Sequence, residues 1–123
     1  MATLITDDLE IHYVEHGPRD GTALVLVHGL FFSTRLFDRL ASHLPDRRIV
    51  ALDVRGHGRS TRPRHAYHYS WSSLADDVVA VLDELGIDRA VVGGLSLGAN
   101  TALAFGLDHP DRAAGLIVEM PVL

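Results

Sequence analysis

At 123 residues the chain has the length of one ordinary domain, enough to bury a core of its own. With 47% hydrophobic residues and a mean hydropathy of +0.15 its composition is globular, not disordered. A net charge of -5 without a basic face gives no footing for a nucleic-acid partner, and the lack of cysteine excludes disulfides, thiolate catalysis and cysteine metal sites.

The N-terminus has no basic start followed by an apolar run, so no signal peptide is expected. No apolar run has the length of a membrane span, and the expectation is a soluble cytoplasmic protein with no membrane partner. "TLIT" and "LEIHYVEH" flank Asp7 and Asp8; Leu9, Ile11 and Tyr13 alternate with Glu10 and His12, which predicts a hairpin with one buried face. The run Ala23 to Val27 is continuously apolar and bounded by glycines, the pattern of a strand buried on both faces. In "STRLFDRLASHL" the spacing of Leu36, Leu40 and Leu44, with Phe37 beside them, predicts a helix buried along that face and stopped by Pro45.

A strand over Ile49 to Leu52 runs into the glycine-punctuated loop "DVRGHGRS" and on through "TRPRHAYHYS", whose basic knot at Arg62 to His65 reads as a solvated loop. Ser70 or Ser72 can cap the next helix, which presents Leu74, Val78, Val81, Leu82 and Leu85 on one face and ends at Gly86. "RAVVGG" is a short buried strand. "LGANTALAFGLDHP" is a helix closed by His109 and Pro110, and Leu116 to Val118 form a last buried strand. Strands alternating with helices after a hairpin predict one α/β domain over residues 1–123 with a mostly parallel sheet.

The stretch "VVGGLSLGAN" carries the chemistry. A strand that turns at once into a helix crosses its own path, and Gly94 and Gly98, two residues either side of Ser96, are the residues that fit such a crossing. The turn projects the Ser96 hydroxyl above the C-terminal edge of the sheet, where the following helix N-terminus favours developing negative charge. A dinucleotide fingerprint fails because Gly93 is followed by Gly94 and Leu95. A phosphate loop fails because Ala99 and Asn100 stand where lysine and a hydroxyl residue are required, so no cofactor is expected. One strand-helix-strand unit earlier, the Gly29–Leu30 turn can aim the Leu30 N–H at the same place, and the Leu97 N–H supplies a second donor, the pair that makes an oxyanion hole.

"HGL" after one strand, "DVRGHGRS" after the next and "GLSLG" after the third, in that order and spacing, resemble the α/β-hydrolase superfamily from about residue 9 to the end. The resemblance implies Ser96 as nucleophile, the Leu30 and Leu97 backbones as oxyanion hole, and His28, Gly29 and the Asp53–Ser60 loop as structure at the site. It points to small-molecule esterases, lactonases and C–C hydrolases. Dehalogenases and epoxide hydrolases of this fold carry aspartate at the elbow, and Ser96 argues against both.

The family's histidine follows the acid late in the chain, and no histidine follows His109 here. The fold is therefore expected to be truncated after about the sixth strand, with the base lying outside these residues. His28 and His57 are read as structural, His65 and His68 as loop residues without a third metal ligand, and His12, His16, His43 and His109 as surface or strand-end residues. Glu119 is either the acid or a carboxylate at the mouth of the site. Phe31, Phe32 and Trp71 either line an acyl pocket or pack. The expected activity is hydrolysis of a small ester, thioester, lactone or related carbonyl compound. The alternatives are a non-catalytic half-domain that binds another chain, or itself, along the bare last strand, and a ligand-binding or perhydrolase relative of the same fold.

Overall fold

The computed structural model describes residues 2–122. Six strands form one sheet in the order β1-β2-β4-β3-β5-β6. β1 (Ala2–Thr6) and β2 (Leu9–His16) make the expected hairpin. Its two turn residues, Asp7 and Asp8, both take positive φ (51° and 58°), the conformation that keeps a two-residue turn in step with strand twist. β2 runs antiparallel to β4 (Ile49–Leu52), and β4, β3 (Ala23–Val27), β5 (Ala90–Leu95) and β6 (Ala113–Glu119) are parallel.

The main core lies on one face of the sheet. Val25, Val27, Val50, Leu52 and Val92 meet Leu74, Val78, Val81 and Leu82 of α2 (Trp71–Glu84) and Ala102 and Phe105 of α3 (Leu97–Asp108). Ser70 caps α2, its hydroxyl accepting the Ser73 N–H at 3.1 Å, and Gly86 ends it at φ 65°.

The other face holds a smaller cluster, where Leu26, Ile49 and Ala51 meet Phe37 and Ala41. The helix expected over 33–44 divides here into a 3-10 turn, Thr34–Phe37, and α1, Asp38–His43. The tighter turn rotates the face that reaches the sheet. Phe37 and Ala41 are buried while Leu36 and Leu40 are 37% and 43% exposed, so of the leucine stripe expected to pack inward only Leu44 reaches the cluster.

β6 is longer than expected and it is not buried: Leu116, Ile117 and Val118 are 39%, 49% and 37% exposed. It pairs only with β5 and forms one edge of the sheet. His12, expected outside on the alternation of β2, is 5% exposed. The loop after β4 folds back over it, and the Ser60 hydroxyl accepts the His12 N–H at 2.9 Å.

Candidate active site

The ends of β3, β4 and β5 bring the site together. β5 stops at Leu95 and α3 starts at Leu97, leaving Ser96 alone in the turn with φ 57° and ψ -113°. For a residue with a Cβ this is a sparsely populated region, a strain of about 1–3 kcal/mol that persists only where the surroundings impose it. The glycines show what imposes it. A side chain on Gly94 would overlap the Gly98 carbonyl, and one on Gly98 would overlap the Val27 carbonyl. The strand, the helix and β3 are thus packed backbone against backbone. The Ser96 N–H donates to the Glu119 carbonyl at 2.9 Å, and the Ser96 carbonyl accepts the Asn100 N–H at 3.1 Å.

The turn after β3 passes directly beside this serine. A Cβ on Gly29 would stand 3.3 Å from the Leu95 carbonyl and 3.6 Å from the Ser96 Cβ. His28 holds the turn in place from beneath. Its Nδ1 lies 2.7 Å from the Gly29 carbonyl and its Nε2 accepts the Val54 N–H at 3.0 Å, which fixes the tautomer with the proton on Nδ1. Burial lowers the His28 pKa below the ordinary 6.5, against the opposing pull of the Gly29 carbonyl. A neutral imidazole with both nitrogens committed in this way has no lone pair free for a serine proton.

The loop Asp53–Thr61 braces the same floor. Asp53, 2% exposed, accepts the Thr34 N–H at 2.8 Å on one oxygen and the Arg59 N–H at 3.0 Å on the other. Ser60 donates to the Asp53 carbonyl at 2.6 Å. Gly58, at φ 51°, leaves the room a side chain would take from the Asp53 carboxylate.

Arg55, 1% exposed, makes a two-pronged pair with Asp77 of α2, Nε to Oδ2 at 2.8 Å and Nη2 to Oδ1 at 2.6 Å. It also donates to the His68 carbonyl at 2.7 Å. Burial works against the Arg55 charge, but the bonds and charge of Asp77 outweigh it and keep the guanidinium protonated. This pair, which the sequence reading missed, ties the loop to α2. Asp77 had a signal: it lies three residues after Leu74 and four before Val81, on the helix face that packs inward.

A cavity of about 320 Å³ opens where these parts meet. Leu30 and Leu97 both line it, together with Phe31, Val54, His57 and Trp71, while Ser96 lies next to Leu97 outside the lining. Leu97 is the first residue of α3, where an N–H has no intrahelical acceptor. Phe32, also expected at the pocket, is 53% exposed and outside this lining. His57 anchors through Nδ1, 3.2 Å from the Arg55 carbonyl, with its ring 5.0 Å from that of His28. A second cavity of about 510 Å³, between β2 and α1, contains none of the elbow or oxyanion-turn residues.

Glu119 stands exposed at the end of β6, and its backbone reaches the elbow. His65 and His68 have rings 6.4 Å apart, and among the described residues no three His, Asp or Glu side chains are grouped to hold a metal ion. No helix among them is long and apolar enough to cross a membrane.

The sequence profile of the α/β hydrolase fold matches residues 22–122. The chain is 28% identical over 115 residues to a putative 2-succinyl-6-hydroxy-2,4-cyclohexadiene-1-carboxylate synthase of Bacillus subtilis, covering 94% of this chain and 42% of that one. It is 40% identical over 111 residues to epoxide hydrolase B of Mycobacterium tuberculosis, covering 87% and 31%. Among solved structures, the enol-lactonase from Burkholderia xenovorans superposes with a TM-score of 0.88 at 29% identity, covering 95% of this chain and 45% of that one. The chain therefore spans less than half the length of these relatives.

Proposed function

The chain belongs to the α/β-hydrolase fold family, and from that premise we propose that it carries the nucleophile half of a serine hydrolase for small esters, thioesters, lactones or related carbonyl compounds. The observation that carries this reading is Ser96 itself, strained at φ 57° between β5 and α3 with the Gly29 turn against its Cβ. Strain of this kind is retained where it serves a site.

In the proposed reaction the Ser96 Oγ attacks the carbonyl carbon while a base takes its proton. The Leu30 and Leu97 N–H groups receive the negative charge that develops on the carbonyl oxygen. Collapse expels the leaving group, which takes the proton back from the base. Water, deprotonated by the same base, then attacks the acyl ester, releasing the acid and the free Ser96 hydroxyl. We place the base on a histidine outside these 123 residues, as the family's chain order implies. His28 has both ring nitrogens engaged, and His57, which lines the cavity, is anchored through Nδ1 at the Arg55 carbonyl. Glu119 is the carboxylate proposed to orient it. The epoxide hydrolase relative shares the fold, but a hydroxyl in place of a carboxylate at the elbow directs the chemistry to acyl transfer. The enol-lactonase neighbour agrees with a lactone or ester substrate.

The test takes the native protein, measures its intact mass and exposes it to a fluorophosphonate. An adduct on Ser96 is expected, together with loss of p-nitrophenyl acetate hydrolysis by about 10³-fold or more in Ser96→Ala. Parent-rate hydrolysis by Ser96→Ala would end the assignment. A native mass well above 13.4 kDa leaves room for the histidine in the same polypeptide; a mass of 13.4 kDa removes that source.

The exposure of β6 favours a second reading, a half-domain completed by another chain at that edge. Sedimentation of the parent and of Ile117→Lys tests the case in which that chain is a second copy.

A further inference from the structure

We propose that Asn100 is a positioning residue for Ser96: its carboxamide clips the segment after β6 to the first turn of α3 and so holds the carbonyl that receives the Ser96 N–H. The importance of that N–H rests on the reading of Ser96 as nucleophile.

Four hydrogen bonds close a ring around the elbow. The Ser96 N–H donates to the Glu119 carbonyl at 2.9 Å, and the Asn100 N–H to the Ser96 carbonyl at 3.1 Å. Between Glu119 and Val122 the chain reverses at Met120, which takes φ 55°, and passes through Pro121, which has no N–H to give. Asn100 then grips Val122 with both ends of its amide. Its Nδ2 donates to the Val122 carbonyl at 2.8 Å and its Oδ1 accepts the Val122 N–H at 2.6 Å. One side chain thereby does for residue 122 what a neighbouring strand would do.

β6 is paired with β5 as far as Leu95 and Glu119, but beyond that pair Met120 and Val122 are 72% and 52% exposed, so packing does little to hold the segment that follows the Glu119 carbonyl. A residue at a positive φ with a Cβ stays there only where its neighbours enforce it. Both Ser96 and Met120 are such residues, and the ring joins them. An alanine or leucine at position 100 would continue α3 equally well, yet could not close the ring. Asn100 therefore acts on the serine through Val122 and Glu119, without touching substrate.

Two variants in the full chain test this. Asn100→Leu removes both side-chain bonds. Asn100→Asp keeps the size and the acceptor but sets a carboxylate oxygen against the Val122 carbonyl. Amide exchange is read at Ser96 and Val122, with Val25 to Val27 of β3 as the control. Loss of one or two such bonds predicts exchange at both amides faster by about tenfold or more, the β3 amides unchanged. Fluorophosphonate acylation of Ser96 is expected to slow comparably in its maximal rate, with the probe concentration for half-maximal rate unchanged.

Faster exchange confined to Val122, with Ser96 exchange and acylation as in the parent, overturns the proposal. If Asn100→Leu loosens every amide, Asn100→Asp decides by the same two positions. If the parent itself takes no label, the reading of Ser96 as nucleophile fails, and the Ser96 amide still decides whether Asn100 positions it.

Discussion

The two flanks of Ser96 are built differently. On the β4 side the site rests on buried polar groups: His28, Asp53, Arg55 and Ser60 are 0%, 2%, 1% and 3% exposed, and their bonds reach β2, the 3-10 turn before α1, and α2. On the β6 side the strand is an exposed edge, covered in part by α3 where Leu116 meets Gly106, and the segment beyond it is tied by one asparagine. On the first flank the shape of the site and the stability of the fold are the same quantity, because removing a partner strands a buried polar group. On the second the site is held locally, and side chains can be lost with little global effect. A serine between a rigid wall and an open one has the Gly29–Leu30 turn beside it fixed by folding and its outer boundary set only by the edge at β6.

The largest effect expected is on the rigid flank. Asp77→Asn takes the two-pronged carboxylate from the buried Arg55 guanidinium and leaves it the more exposed Asp7 at 3.4 Å, a loss of about 3 kcal/mol. Urea unfolding of the variant against the parent measures it; a loss below about 1 kcal/mol would mean that water reaches Arg55 and that this flank is not the rigid one. Next comes a paired comparison within the sheet. Leu52→Ala, in β4 at 1% exposure, is expected to cost about 2–5 kcal/mol, whereas Ile117→Ala, in β6 at 49% exposure, costs about 1 kcal/mol or less. Equal losses in the same unfolding experiment would erase the contrast between the flanks.

A smaller effect is expected from pH. His28 is held neutral in the fold with its pKa lowered from 6.5, chiefly by burial. Below that ordinary value the unfolded chain binds the proton more readily than the folded one, so stability falls as pH falls. The His28 contribution is complete above pH 6.5 and is lost as acidification proceeds toward the lowered folded value. Melting temperatures of the parent between pH 8 and 5.5 should decline on the acid side more steeply than those of His28→Asn, which has nothing to titrate at that position. Parallel profiles would show that the Val54 N–H bond to Nε2 does not depend on a neutral ring.

The rigid flank was partly legible in the sequence, and the open flank much less so. The elbow could be read because its constraint is local: Gly94 and Gly98 are where a strand crosses its own helix, and both meet backbone in the structure. The face of α2 could be read because its period is regular. The leucine stripe of α1 misled because four residues of 3-10 turn rotate the face, which period alone does not reveal. His12 misled because alternation sees one strand, while its burial comes from Ser60, 48 residues later. Asn100 was passed over for the same reason. Its partner lies 22 residues on and reaches it only through the reversal at Met120, a conformation no glycine or asparagine announces.

The smallest effect on stability is the most informative about the open flank. Ile117→Lys places a charge on a side chain that is 49% exposed on an edge strand, where lysine is among the residues that discourage strand pairing. If the chain stands alone in solution, the substitution removes little buried area and its unfolding free energy should change by about 0.5 kcal/mol or less. If β6 is completed by another copy, the apolar surface of Leu116, Ile117 and Val118 is buried in the assembly. The same charge must then be desolvated or the assembly must dissociate. Sedimentation of the parent and of Ile117→Lys separates these cases. A parent dimer that becomes monomer in the variant assigns β6 to a second copy and supports the half-domain reading. A parent monomer unchanged by the variant removes self-association from that reading, and leaves it only a different chain as the partner of β6.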